Sequence, residues 1–292
     1  MTSGIARHEE LRIAYEVEGP PGGEPLLLIM GLALSMDFWP QPFRRLLTGH
    51  GFRVARLDNR DVGRSTHLPQ LGAPSALALL ARRRGGYRLA DMADDAAAVL
   101  DALAWDSAHV VGISLGGMIA QTLAGLHPTR VRSLTSISST PSPRIGRPGP
   151  RVLPVLLAGR ARDRAAAGER MVRVFRVIGS PDYPHDEQGI REAAATAFDH
   201  AHDPGGARRQ LAAVVSATDR RPMLRRLHLP ALVVHGGADP LVRVSGGRAT
   251  ARALPGARLV IYPGMGHDLP AELQPAIAGE IAALARRWST PS

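Results

Sequence analysis

The sequence predicts an α/β fold: a mostly parallel, doubly wound sheet covered by helices on both faces, with a helical cap inserted after the sixth strand. Three features point there. Short β-branched and leucine-rich runs alternate with helical patterns along most of the 292 residues, and such alternation implies parallel strands joined by crossover helices. Some of these runs are apolar throughout, as strands buried on both faces must be. One stretch, 138–229, breaks the rhythm, with helical patterns but no good strand.

Taken in order, residues 11–17 alternate polar and apolar and read as an edge strand. Residues 26–30 are continuously apolar and read as a fully buried strand. Residues 43–47 lie in a helical stretch that ends near Gly49 and Gly51. Residues 53–57 are the next strand, followed by a small insertion at 66–88. Between 89 and 103, Met92, Ala96, Val99, Leu100 and Leu103 recur at helical spacing. A strand at 109–113, a helix at 115–126 and a strand at 131–137 follow. The long insertion opens Pro-rich (Pro141, Pro143, Pro148, Pro150, Pro154) and continues as helical segments at 169–178, 187–198 and 207–217. The alternation then resumes with a strand at 231–235, a helix at 242–254 and a strand at 258–262. A helix at 270–288 closes the chain, with Pro270 near a first-turn position. Residues 1–137 and 230–292 are expected to form one core, and 138–229 a cap over the carboxyl edge of its sheet.

Composition narrows the chemistry. All 36 residues counted as Lys plus Arg are arginine, and there is no cysteine. Schiff-base and P-loop lysines, Ser-Lys dyads, cysteine nucleophiles, thiolate metal sites and disulfides are all removed. The formal charge of +10 raises the question of nucleic acid. The basic stretches lack interleaved stacking aromatics, which make up only 4% of the chain. Arginine without lysine is what a GC-rich coding sequence produces, so no nucleic-acid partner is expected. The first 19 residues carry Glu9, Glu10, Glu16 and Glu18 rather than a signal peptide's basic start and apolar run. No apolar run noted near the start is long enough to span a bilayer. The expectation is a soluble cytoplasmic protein, monomer or homodimer, without a membrane span.

The sharpest local feature is Gly112-Ile113-Ser114-Leu115-Gly116, placed directly between an apolar strand and a helix. A serine on so tight a turn needs small neighbours, which Gly112 and Gly116 supply. The helix behind it offers amide donors and positive potential to a developing oxyanion. The serine needs a base. Of 11 histidines, His267 follows the last strand in a glycine-rich loop at the same sheet edge. His109 and His127 sit at a strand start and a helix end, away from that edge. His200 and His202, two apart, share no helix face and lack the carboxylates of a metal site. The base needs an acid. Asp239, in the loop after the strand at 231–235, lies at that edge. Asp268 adjoins His267 but is poorly placed to reach its neighbour's far nitrogen, and the loop Ser138-Ser139-Thr140 has no carboxylate. Ser114, His267 and Asp239 are therefore the candidate catalytic residues.

With these residues in place, the chain resembles the α/β-hydrolase superfamily over nearly its whole length, and the order Ser, Asp, His is that family's. Met30-Gly31-Leu32 matches the family's oxyanion loop, with Met in place of His. The resemblance implies that the amides of Leu32 and Leu115 form the oxyanion hole. Residues 58–65, Asp-Asn-Arg-Asp-Val-Gly-Arg-Ser, match a structural turn of the family, with Asp61 where Gly is usual. Residues 28–39, 58–65 and 263–270 look closest to a bacterial subgroup that includes aclacinomycin methylesterase.

The expected function is hydrolysis of small to medium apolar carboxylic esters through an acyl-enzyme, with no cofactor and no metal. Leu34 beside the oxyanion loop, Leu241 two residues past the acid, and Phe175 and Ile178 of the cap are candidate substrate contacts; the last two read more readily as core packing. The alternatives are a polyketide methyl esterase, or a lactonase, carbon–carbon hydrolase or acyltransferase using the same triad. A non-catalytic binding protein is disfavoured because all three positions are filled. Dehalogenases and epoxide hydrolases need a carboxylate where Ser114 stands. Charge is also uneven. Residues 144–176 hold nine arginines against Asp163 and Glu169, a local +7. This reads either as a solvated helix face or as an attractor of anionic substrates.

Overall fold

The computed structural model describes residues 1–83, 85–152, 161–200, 203 and 205–289. The first half runs β1 (Thr2–His8), β2 (Leu11–Glu18), β3 (Glu24–Ile29), α1 (Gln41–Gly49), β4 (Phe52–Leu57), α2 (Ala76–Leu80), α3 (Leu89–Ala102), β5 (Ala108–Ile113), α4 (Leu115–Leu126) and β6 (Val131–Ile137). Then come α5 (Arg164–Ile178), α6 (Glu187–Asp199), α7 (Gly206–Val215) and α8 (Arg221–Leu224). The chain closes with β7 (Ala231–Gly236), α9 (Ser245–Ala253), β8 (Arg258–Tyr262) and α10 (Gln274–Ser289). The strands form one eight-stranded sheet in the order β1-β2-β4-β3-β5-β6-β7-β8. The pairs β1–β2 and β2–β4 are antiparallel, and every other pair is parallel.

The central strands alternate sides as their pleat requires. In β3, Leu27 and Ile29 join a core with α3 and α4, while Leu26 and Leu28 join a second core with α1 and α10. All four side chains are fully buried, and burying each stabilises the fold by about 1.5–3 kcal/mol. Residues 11–17 do not form an edge strand. β1 pairs outside β2, from Thr2 opposite Val17 to His8 opposite Leu11. β1 is hard to read because Ala6 is its one buried residue, and its largest apolar side chain, Ile5, is 40% exposed.

Other boundaries shift for local reasons. The helix expected over 242–254 begins only at Ser245, because Val242 belongs to the turn that binds Asp239. The helix expected over 270–288 opens with a 3₁₀ turn, Ala271–Leu273. Between β6 and β7 the described residues contain helices and turns but no strand. There α5 and α6 form an antiparallel hairpin, cross-linked by Arg164–Asp199 at 3.1 Å and Arg176–Glu187 at 2.6 Å. Arg191–Glu169 adds a third link at 2.6 Å. Asp163 and Asp186 accept the Ala166 and Gly189 amides at 2.8 and 2.9 Å, satisfying donors at the two helix starts. Two arginines of the basic stretch, Arg164 and Arg176, are thus met by α6 acids. Arg160, Pro154 and His202 lie outside the described residues.

The fold brings the loops after β3, β5, β6, β7 and β8 to one edge, since these strands run parallel. In open α/β sheets that carboxyl edge is where ligands bind.

Candidate active site

Ser114 joins β5 to α4 at φ 56° and ψ −119°, a conformation costly for a non-glycine residue. Its surroundings impose it. A Cβ on Gly112 would lie 2.1 Å from the Gly116 carbonyl oxygen, and one on Gly116 would lie 1.9 Å from that of Ile29. The backbone of the turn is tied to β6 and the loop after it: Ser114 N–H donates to Ile137 O at 2.9 Å, and Ser139 Oγ donates to Ser114 O at 2.7 Å. Ser114 remains partly exposed. The next amide, Leu115, is the first of α4 and has no carbonyl four residues back within its helix.

The loop after β3 packs directly on this turn. A Cβ on Gly31 would meet Ser114 Cβ at 3.3 Å and Oγ at 3.8 Å. Ala33 lies at φ 59°. Of the three amides after Gly31, that of Ala33 donates to Gln210 Oε1 at 2.8 Å and that of Leu34 to Gly31 O at 3.4 Å. The amide of Leu32 has no acceptor among the described residues. Asn59 Nδ2 donates to Met30 O at 3.0 Å, and Asp58 accepts the Met36 amide at 2.7 Å. Burial pushes the Asp58 carboxyl above the usual carboxylate range, against the pull of its amide donors.

Across the same edge, His267 Nδ1 donates to Asp239 Oδ2 at 2.7 Å, with both residues buried. The other carboxylate oxygen accepts the amides of Leu241 and Val242, each at 2.9 Å. Asp239 is thus fixed as an acceptor on both sides. His235 stands beside it, with Nε2 3.7 Å from Oδ2 and donating to Val242 O at 2.7 Å. Burial holds the His235 imidazole below its ordinary value.

The His267 loop is also held by the segment after α5. His267 N–H donates to Ile178 O at 2.7 Å, and Gly266 N–H to Ser180 Oγ at 2.9 Å. Ser180 Oγ donates in turn to Asp268, so that carboxylate faces the Ser180 segment.

A cavity of about 200 Å³ opens beside the loop at Ala33. Its lining includes Phe38, Val62, Met171 and Phe198 among apolar side chains and Asp61, His67, Arg170 and Asp203 among polar ones. None of the four candidate substrate contacts lines it. Phe175 stacks behind Phe38, with ring centroids 6.4 Å apart. Ile178 is buried under the His267 loop, Leu34 packs into the α1–α10 core, and the Leu241 amide serves Asp239. His109 and His127 are engaged elsewhere, with Glu24 and Asp94. His200 caps the end of α6. Among the described residues no group of three or more His, Asp or Glu could hold a metal ion, and no helix is long and apolar enough to cross a membrane.

A family model described as alpha/beta hydrolase fold matches residues 24–272. Rhodomycin D methylesterase DnrP of Streptomyces peucetius is 30% identical over 306 aligned positions, covering 98% of this chain and 99% of that protein. Rhodomycin D methylesterase DauP of Streptomyces sp. (strain C5) is similar to the same extent, 30% over 306 positions. Among solved structures, a hydrolase from Pseudomonas aeruginosa PA01 superposes with a TM-score of 0.72 at 26% identity, over 97% of each chain.

Proposed function

The chain belongs to the α/β-hydrolase fold family, and from that premise we propose that it is a serine esterase using Ser114, His267 and Asp239. Ser114 Oγ attacks the ester carbonyl and gives its proton to His267 Nε2. The Asp239 carboxylate holds the Nδ1 proton, so that Nε2 is the free acceptor, and stabilises the imidazolium that forms. The amides of Leu32 and Leu115 receive the oxyanion. The alcohol leaves with the proton from His267. Water, activated by the same imidazole, then releases the acid and restores Ser114. The steps use side chains, backbone amides and one water molecule.

The observation that carries this reading is the buried 2.7 Å His267–Asp239 pair at the sheet edge that also presents the strained Ser114 turn. The helices α5, α6 and α7 act as a cap over that edge. The relatives named rhodomycin D methylesterase favour a methyl ester as the bond cleaved. The largely apolar cavity beside Ala33, of about 200 Å³, suits a small to medium apolar acyl part.

Ser114→Ala is expected to lower turnover of a chromogenic short-chain ester by about 10⁴-fold or more. A fluorophosphonate probe is expected to label Ser114. Unchanged turnover, or absence of the adduct, overturns the assignment. A panel of methyl esters graded by acyl size then tests the choice of substrate.

A further inference from the structure

Gln210, on α7, takes no part in the steps above, yet its carboxamide is fully buried. Oε1 accepts the Ala33 amide and Nε2 donates to the Arg60 carbonyl, each at 2.8 Å. Exchanging the two ends would set donor against donor and acceptor against acceptor, so the orientation is fixed by its partners. One side chain from the segment between β6 and β7 therefore bridges the loop after β3 and the loop after β4. Its neighbour Arg209 grips Asp61 from the same turn of α7, which sets where Gln210 stands.

The bridge ends on the loop that packs against Ser114. Ala33 holds a left-handed conformation uncommon for a non-glycine residue, and its amide is the one Gln210 engages. With the Leu34 amide turned onto Gly31, Leu32 is left as the loop's unengaged donor. Oxyanion donors work by being aimed before the charge develops, so whatever fixes this loop acts on the transition state more than on the bound ester.

We propose that Gln210 is a positioning residue for ester hydrolysis, holding the oxyanion loop through Ala33 so that the Leu32 amide stays aimed at the developing charge. This rests on the reading of Ser114 and Leu32 given above. It also makes turnover depend on the docking of α7.

The test compares wild type with Gln210→Met, which keeps the volume but makes neither bond. Gln210→Asn serves as a second variant, retaining a polar amide but withdrawing it by one methylene. In each, kcat is expected to fall about 10- to 100-fold with KM changed less than about threefold. Affinity for a trifluoromethyl ketone, whose serine adduct carries an alkoxide in the oxyanion site, should fall by the same factor as kcat/KM. A purely structural role would not reproduce that match. A kcat within twofold of wild type in either folded variant overturns the proposal, as does lost turnover with unchanged ketone affinity. Ser114→Ala run in parallel separates the two levels. If it stays active, the esterase reading fails. If it is inactive while Gln210→Met is not, only the role of Gln210 fails.

Discussion

Arg209 lays its guanidinium along both carboxylate oxygens of Asp61, at 2.8 and 2.6 Å, with both side chains almost wholly buried. Arg209 also pairs with Asp203 and donates to Gly72 O at 2.7 Å, while the Tyr87 hydroxyl donates to Asp61 at 2.8 Å. Burial first, and then the Asp61 charge, push the Tyr87 phenol above its ordinary range. Removing one partner of a buried ion pair leaves a desolvated charge, whereas removing both need not. Arg209→Leu is expected to cost about 3–5 kcal/mol in urea denaturation. The double variant Asp61→Gly with Arg209→Leu should recover part of it, because Asp61 sits at φ 70°, which glycine adopts freely, while Asp203, the Tyr87 hydroxyl and the Leu68 amide still lose a partner. A double variant as unstable as the single one would count against this account.

Asp239→Asn keeps an oxygen for the Leu241 and Val242 amides and so should fold normally. It presents an amide donor to His267, which favours the wrong tautomer. We expect kcat to fall about 10³- to 10⁴-fold with KM little changed. Steady-state kinetics on a chromogenic ester checks this, and a loss below tenfold would contradict it.

Gly116→Ala tests the close packing under the Ser114 turn. The added methyl meets the Ile29 and Met30 carbonyl oxygens at 1.9 and 2.8 Å, which is backbone and cannot swing aside. Destabilisation of at least about 2–3 kcal/mol is expected, the upper range for overpacking. Thermal denaturation monitored by circular dichroism would reveal it, and a wild-type Tm would show that β3 yields more easily than its packing implies.

Stability should also fall on mild acidification. Burial holds the imidazoles of His109 and His235 below their ordinary value of 6.5, against the opposing pull of Glu24 on His109. Above that value both folded and unfolded chains carry neutral rings and the contribution is complete. As pH falls past 6.5 the unfolded chain binds protons that the folded chain resists, so stability drops until the folded rings titrate as well. His109→Gln, far from Ser114, should lose less stability than wild type between pH 7.5 and 5.5. Denaturation midpoints measured across that range decide it, with parallel curves as the refuting result.

The positions of Ser114 and Asp239 after β5 and β7 were readable because strands buried on both faces are largely apolar, which marks where each edge loop begins; β8, a half-buried outer strand before His267, was readable from its run of Leu, Val, Ile and Tyr. Gly112 and Gly116 were readable because no side chain fits there. β1 escaped because a mostly exposed outer strand needs little apolar pattern. Arg209 and Gln210 escaped for another reason. On α7 they look like a polar surface face, and only partners 148 and 177 residues away show that they are buried. Asp61 was legible as a turn residue but not as an ion-pair partner, since a carboxylate in place of glycine says nothing of the cation that meets it. The Ser180–Asp268 contact is hidden in the same way.

The hydrogen bond from the His267 amide to Ile178, with Ser180 beside it, couples two loops of the site through one segment. The stretch between β6 and β7 is moored at this point to the proposed base, and at α7 to the loop beside Ser114. It cannot lift away as one piece without dislodging both. A compound or substitution that strains either tie would therefore disturb the proposed base or the loop at Ala33 without touching Ser114 itself.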